Sequence, residues 1–247
     1  MGFLRSRRRV LVIVAAVVVL LPLSGVGVMA LASSRGYQLY GGLTDRVRTS
    51  EKVVALTFDD GPHPAGTRHL LDSLARKDIR ATFYLTGREL SEHPELGRAI
   101  ATAGHEIGNH SYHHERMVFV TPRFVAEEVE RTDERIRDTG YRGEITFRPP
   151  NGKKLFALPQ YLHEHHRKTV MWDVEPDSSA EAAKRGTDEI VRATLAEVRP
   201  GSIVLLHGMY PGRDRTRAAV EPIVDGLRER GYRFVTVSEL LTLGPDD

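Results

Sequence analysis

The chain has 247 residues, 40% hydrophobic and 28% charged, an ordinary globular balance with enough apolar material for one large domain or two small ones. Its formal charge of +2 rests on Arg5, Arg7, Arg8 and Arg9; everything after them is net negative, which argues against nucleic acid as a partner. There is no cysteine, so disulfides, thiolate metal sites and cysteine nucleophiles are excluded together.

The four arginines precede an apolar run from Val10 to Leu21, and no further charge appears before Arg35. A basic start, a long apolar stretch and Ala30-Leu31-Ala32 ahead of Ser33-Ser34 form a secretory signal pattern. The uncharged stretch is also long enough to serve as an uncleaved membrane anchor, although Pro22, Gly25 and Gly27 interrupt it. Ser6-Arg7-Arg8 adds a twin-arginine export pattern. Residues 1–33 are therefore expected to be a signal peptide or anchor, and the working part to be exported, extracellular or in the cell wall, or anchored to the outer face of the cytoplasmic membrane. Residues 34–50, polar with Gly36, Gly41 and Gly42, read as a linker or entry segment.

Residues 51–247 alternate short β-rich runs with helical stretches. The predicted strands are Val53–Phe58, Ala81–Leu85, Glu106–Asn109, Ile145–Arg148, Thr169–Trp172, Ser202–Leu206 and Arg233–Val237. Between them, helical spacing is carried by Leu70, Leu71 and Leu74, then by Leu90, Leu96 and Ile100. Phe124, Val125, Val129 and Ile136 mark a third helix, and Ile190, Val191, Leu195 and Val198 a fourth. Pro200-Gly201 and Arg230-Gly231 close helices. Such alternation predicts an α/β fold with parallel strands, and seven units suit an incomplete (β/α) barrel at least as well as a doubly wound sheet.

In parallel α/β folds the C-terminal strand ends gather at one face, where sites are built. Five predicted strands end in ionisable groups: Asp59-Asp60-Gly61-Pro62, His110-Ser111-Tyr112-His113-His114, Arg148-Pro149-Pro150-Asn151-Gly152, Trp172-Asp173-Val174-Glu175-Pro176-Asp177, and Leu205-Leu206-His207-Gly208. Taken singly each has a plain reading: a turn, a solvated histidine pair, a capped strand or a core histidine. His110 and His114 are four apart, a spacing that on a helical turn would put both on one face toward one metal. The cluster His163, His165 and His166 lacks strand-end placement and reads as a solvated helix surface. Together, two imidazoles and a carboxylate make a ligand set that leaves positions open for water and substrate. Gly104-His105-Glu106-Ile107-Gly108-Asn109-His110 approaches the His-Glu-x-x-His helix of metalloproteases, but position 109 is Asn and Gly108 disfavours a helix, so that reading fails on register.

Thr57-Phe58-Asp59-Asp60-Gly61-Pro62, His110-Ser111-x-x-His114, Arg148-Pro149-Pro150-x-Gly152 and Leu205-x-His207, in that order, resemble the motif set of the polysaccharide deacetylases, the NodB-homology domains of carbohydrate esterase family 4. The resemblance spans about residues 50 to 240 and implies a single distorted (β/α)7 barrel domain. It implies a metal-dependent hydrolase that removes N-acetyl groups from N-acetylglucosamine in peptidoglycan or a chitin-like polymer. By position, Asp60, His110 and His114 would bind a divalent ion, zinc first, with Co2+, Ni2+ or Mn2+ as alternatives. Asp59 would be the general base, His207 the general acid, and Arg148 the group orienting Asp59. Asp177, with Asp173 as the alternative, would partner His207. Leu205 would line the pocket for the acetyl methyl group, a backbone N–H near Asn151 would stabilise the oxyanion, and Trp172 would touch substrate. The chain departs from the family pattern at Asn151, Ser178 and Gly208, where Tyr, Trp and Asp are usual. The alternatives are an O-acetyl esterase acting on a xylan-type glycan and a non-catalytic carbohydrate-binding wall protein.

Overall fold

A computed structural model describes residues 25–178 and 185–244. Most of the predicted signal or anchor, 1–24, lies outside the described residues; its last part, 25–32, is helical (α1), and no helix among the described residues is long and apolar enough to cross a membrane. The elements that follow alternate as the apolar runs predict. They are β1 (Leu43–Thr44), β2 (Val53–Asp59), α2 (Thr67–Arg76), β3 (Thr82–Leu85), α3 (Gly87–Glu92), α4 (Pro94–Thr102), β4 (Glu106–Asn109) and α5 (Pro122–Asp138). Then come a 3-10 turn (Pro150–Gly152), α6 (Ala157–Glu164), β5 (Thr169–Val170), α7 (Thr187–Glu197), β6 (Ser202–Leu206), α8 (Asp214–Glu229), β7 (Arg233–Phe234) and α9 (Val237–Leu241).

Strand β2 is the axis. All seven of its residues are buried, because it is flanked by β6 on one side and by β3 and β7 on the other, all parallel to it. A strand covered on both faces reads as an unbroken apolar run, which is what Val53–Phe58 shows. The hydrogen-bonded order is β4-β3-β2-β6, with β7 beside β2 and a separate parallel pair β1-β5. The register sets Asp59 against Tyr84 and Thr57 against Leu205, so these strands end at one level. The core between sheet and helices is aliphatic and aromatic: Leu56, Phe58, Phe83, Ile107, Val204 and Leu206 are buried with the inner faces of α2 and α8.

Four expectations change. Residues 34–50 are not a free linker: Leu43 and Thr44 pair with β5, and Arg46 bridges Ser202. The predicted strand Ile145–Arg148 is reduced to a bridging residue, Phe147, paired in parallel with Asn109 and with Thr169, because Pro149 and Pro150 remove the next donors. The helix predicted from Leu90 to Ile100 breaks at His93, since Pro94 takes the first position of a new helix. Strand β7 stops at Phe234, and Thr236 with Glu239 forms the capping box of α9 in place of the predicted strand end.

Gly108 in β4 links packing to chemistry. A Cβ there would lie 2.4 Å from the Tyr84 ring, which in turn supports Arg148. Gly108→Ala is expected to cost about 1–3 kcal/mol, the range for overpacking, read as a lower urea midpoint at unchanged slope.

Candidate active site

Asp59 is the last residue of β2 and Asp60 the first beyond it, with φ at +68°, the left-handed region that Asp tolerates better than most residues. That turn sends the two carboxylates apart. Asp59 is 2% exposed and receives Nη1 of Arg148 at 2.5 Å. Burial pushes its carboxyl up to about 6, helped by the charge of Asp60 and opposed by Arg148 and His207. Arg148 is fully buried, and four of its five donors are taken up: Nη1 also reaches Thr57 Oγ1, Nη2 the Met171 carbonyl and Nε the Val170 carbonyl. Its guanidinium lies 4.0 Å from the Tyr84 ring centre.

Asp60 faces the histidines. Its Oδ1 is 3.2 Å from His114 Nε2 and 3.6 Å from His110 Nε2, and this buried oxygen accepts no hydrogen bond. His110 Nδ1 lies 2.8 Å from the Arg148 carbonyl. A carbonyl only accepts, so Nδ1 carries the proton and the Nε2 lone pair points toward Asp60, as an outer-shell hydrogen bond arranges for a metal ligand. Burial drives the His110 imidazole well below its ordinary value, so it is neutral. Asp60, His110 and His114 bring their ligand atoms within 4.8 Å of one another. An orphaned buried carboxylate oxygen facing two imidazoles fits a divalent cation better than any protein partner.

The histidines do not share a helical face. They lie on an irregular loop after β4, with Ser111 and His114 in left-handed conformations. Glu128 of α5, 2% exposed, fixes that loop by accepting from the backbone N–H groups of Tyr112 and His113 and from the His113 ring. Asn109 adds a bond to the Ser111 N–H.

His207 follows β6 and meets Asp177, not Asp173. Asp177 accepts from the His207 ring at 3.2 Å and from its backbone N–H at 2.8 Å, while Thr216 and Ser178 complete its shell. Asp173 instead ties down the start of β6 through Ser202 and the Ile203 N–H. Burial alone would lower His207, but the hydrogen bond and charge of Asp177, with the charges of Asp60 and Asp59, raise it to about 9. Asp177 is held below the usual carboxylate range against its own burial by the same pairing.

Asp59, Asp60, His110, His114 and His207 line a cleft of about 430 Å3 together with Leu205, Asn151 and Trp172. Trp172 is only 5% exposed: its Nε1 donates to Glu175, and the guanidiniums of Arg35 and Arg148 lie 4.7 and 5.5 Å from its ring centre. It offers substrate an edge, not a stacking face. Asn151 sits at φ +53° in the turn after Arg148. The histidines at 163, 165 and 166 are exposed and are not part of this cleft. Glu175, in the strand-end segment Trp172–Asp177, also reaches the lining, whereas sequence reading missed Ser33, Arg35, Lys153 and Arg213 there and Glu128 behind it. None has a spacing signal, since their relation to the strand ends arises only when distant segments pack.

A buried acid beside an arginine, a three-donor candidate cation site and a histidine paired with a buried aspartate meet on one cleft, contributed by the ends of β2, β4 and β6. The polysaccharide deacetylase family model matches residues 46–170. A peptidoglycan-N-acetylglucosamine deacetylase of Bacillus cereus is 35% identical over 204 residues, 81% of this chain and 93% of the relative. A chitooligosaccharide deacetylase of Rhizobium leguminosarum is 30% identical over 214 residues, 76% of this chain and 91% of the relative. A peptidoglycan N-acetylglucosamine deacetylase crystallised with 4-naphthalen-1-yl-N-oxidanyl-benzamide superposes with a TM-score of 0.73 at 29% identity, over 82% of this chain and 94% of that one. The chain belongs to the polysaccharide deacetylase family, carbohydrate esterase family 4.

Because the folded value of His207 lies above the roughly 6.5 of a free imidazole, its pair with Asp177 stabilises fully below that pH and fades as pH rises through about 9. In chelator-treated protein, NMR titration of the His207 ring is expected near pH 9. Asp177→Asn should bring it down by more than a unit toward about 6.5; an unmoved titration would rule out the coupling.

Proposed function

We propose that this protein is a metal-dependent polysaccharide N-deacetylase that removes acetyl groups from N-acetylglucosamine units of peptidoglycan, with chitin-like oligosaccharides as the related substrate class. The observation that carries the reading is the arrangement on one cleft of three candidate ligands, Asp60, His110 and His114, between Asp59 held by Arg148 and His207 held by Asp177; burial raises the Asp59 carboxyl and Asp177 raises the His207 imidazole. A base and an acid poised on either side of neutrality are what amide hydrolysis asks of two groups.

Asp60, His110 and His114 would hold a divalent ion, with zinc the first choice for two histidines and one carboxylate. Such an ion supplies Lewis acidity toward the acetyl carbonyl and lowers the pKa of a coordinated water. Asp59 accepts the proton of the attacking water, and Arg148 holds that carboxylate in line. As the carbonyl carbon becomes tetrahedral, a backbone N–H at the Asn151 turn donates to its oxygen. His207 gives its proton to the amide nitrogen, the C–N bond breaks, and acetate and a free amine leave. Leu205 packs against the acetyl methyl. The series of parallel pairings from β2 through β3, β4, Phe147 and β5 supports reading the domain as a distorted (β/α)7 barrel, to which the segment from Leu43 also belongs. The basic, then apolar start at Arg5–Leu21 supports export, ending in secretion or in anchoring to the outer membrane face.

The test is acetate release from N-acetylated glycans. Chelator should abolish it, and added Zn2+ or Co2+ should restore it. Asp59→Asn and His207→Ala are each expected to lower kcat about 10^2- to 10^4-fold with metal still bound. Asp60→Ala should weaken metal binding beyond the roughly 10- to 100-fold typical of losing an outer-shell partner. Chelator-resistant turnover, or full activity of Asp59→Asn, would sink the mechanism. An O-acetyl esterase would tolerate His207→Ala far better, because an alkoxide leaves more easily than an unprotonated amine.

A further inference from the structure

The cleft contains more cation than its own carboxylates answer. Asp59, Asp60 and Glu175 line it. Asp59 is matched by Arg148, Glu175 by Arg35, and Asp60 by the ion the site would hold. Lys153 and Arg213 line it as well, and among the described residues neither is in ion-pair contact with a carboxylate. Arg213 donates to the Asp177 carbonyl, and Lys153 Nζ to the Ser33 hydroxyl. The charge of both is therefore left for the cleft.

Lys153 is aimed there by a segment ahead of β1. Ala32 is buried, its carbonyl accepts from the Lys154 backbone N–H at 3.0 Å, and Ser33 Oγ donates to the Met29 carbonyl at 2.6 Å. With its proton committed to Met29, the Ser33 oxygen is oriented to accept from Lys153. Lys154, 1% exposed, turns inward to the Ser34 carbonyl. Burial first, and then repulsion from Lys153, bring its ammonium down to about 8. Arg35 closes the same wall over Trp172.

We propose that Lys153 and Arg213 form a carboxylate-binding rim beside the metal site, with Ser33 positioning Lys153, and that the preferred substrate is an acetylated glycan bearing carboxylates next to the reacting acetamide. This rests on the deacetylase reading and narrows it. A neutral chitin-like oligomer gains nothing from two cations without counter-charge, whereas a peptidoglycan strand offers either the lactyl carboxylate of its muramic acid or the carboxylates of its stem peptide. Charge-assisted hydrogen bonds of this kind fix register on the polymer as well as affinity. Residues 32–35, which precede the matched family region, would thus be a working part of the site.

The experiment compares three substrates with the zinc-loaded full chain: a peptide-free glucosaminyl-muramyl oligosaccharide, its carboxyl methyl ester, and the peptide-bearing glycan. Both kcat/KM and Kd are measured. The free acid, or the peptide-bearing form if the stem is the ligand, is expected to exceed the ester by about tenfold, mostly through KM. That excess should shrink as salt rises from about 0.05 to 0.5 M. Lys153→Ala and Arg213→Ala should each lower kcat/KM on the charged substrate several-fold more than on the ester, and Ser33→Ala should do so more weakly. Equal losses on charged and esterified substrate would mark these residues as merely structural and overturn the rim. Turnover without preference removes the rim and leaves the deacetylase. Preference in Kd without turnover keeps the rim and removes the deacetylase, and neither binding nor turnover overturns both.

Discussion

The site depends on the buried ion pair between Arg148 and Asp59. A fully buried guanidinium is tolerated only when it is paired and hydrogen-bonded, and here four of its five donors go to Thr57, Asp59, Val170 and Met171. Those partners lie on β2 and on the segment through β5, so one side chain joins two strands that share no ladder. The main chain of the same residue receives the Nδ1 proton of His110. Arg148 thus holds Asp59 by its side chain and His110 by its carbonyl, and a disturbance at one is felt at the other.

Around that pair the protein separates two neighbouring acids. Asp59 is desolvated and held by Arg148, which places its titration where a base is useful. Asp60, turned away by a left-handed backbone, is left with an unsatisfied oxygen among imidazoles. Across the cleft, Asp177 keeps His207 charged despite burial. The desolvation that raises one group would lower the other; the difference is the counter-charge each is given. One cleft therefore contains a ready acceptor and a ready donor without either neutralising the other.

Much of this is legible in the chain alone. The continuous apolar run of Val53–Phe58 announces a strand covered on both faces, and the ionisable groups at successive strand ends announce a shared mouth. The helix break at Pro94 is equally local, although apolar spacing runs straight across it. Relations between distant segments are not legible in this way. The two histidines meet through left-handed loop geometry and the grip of Glu128, which a four-residue spacing mimics without implying. Trp172, a substrate contact by position, is mostly covered because Arg35 comes back over it from a stretch that looks like a linker.

The sequence by itself determined the alternation of strands and helices, the family, and the identity of the acids and histidines that line the cleft and of the arginine buried behind them, because periodicity and strand-end position are local properties of the chain. The tertiary structure decided that Asp177 and not Asp173 charges His207, how the two histidines are brought together, and how residues 32–35 wall the cleft. Those outcomes follow from desolvation and from pairings between segments as far as 140 residues apart, and neither is encoded in any single stretch of sequence.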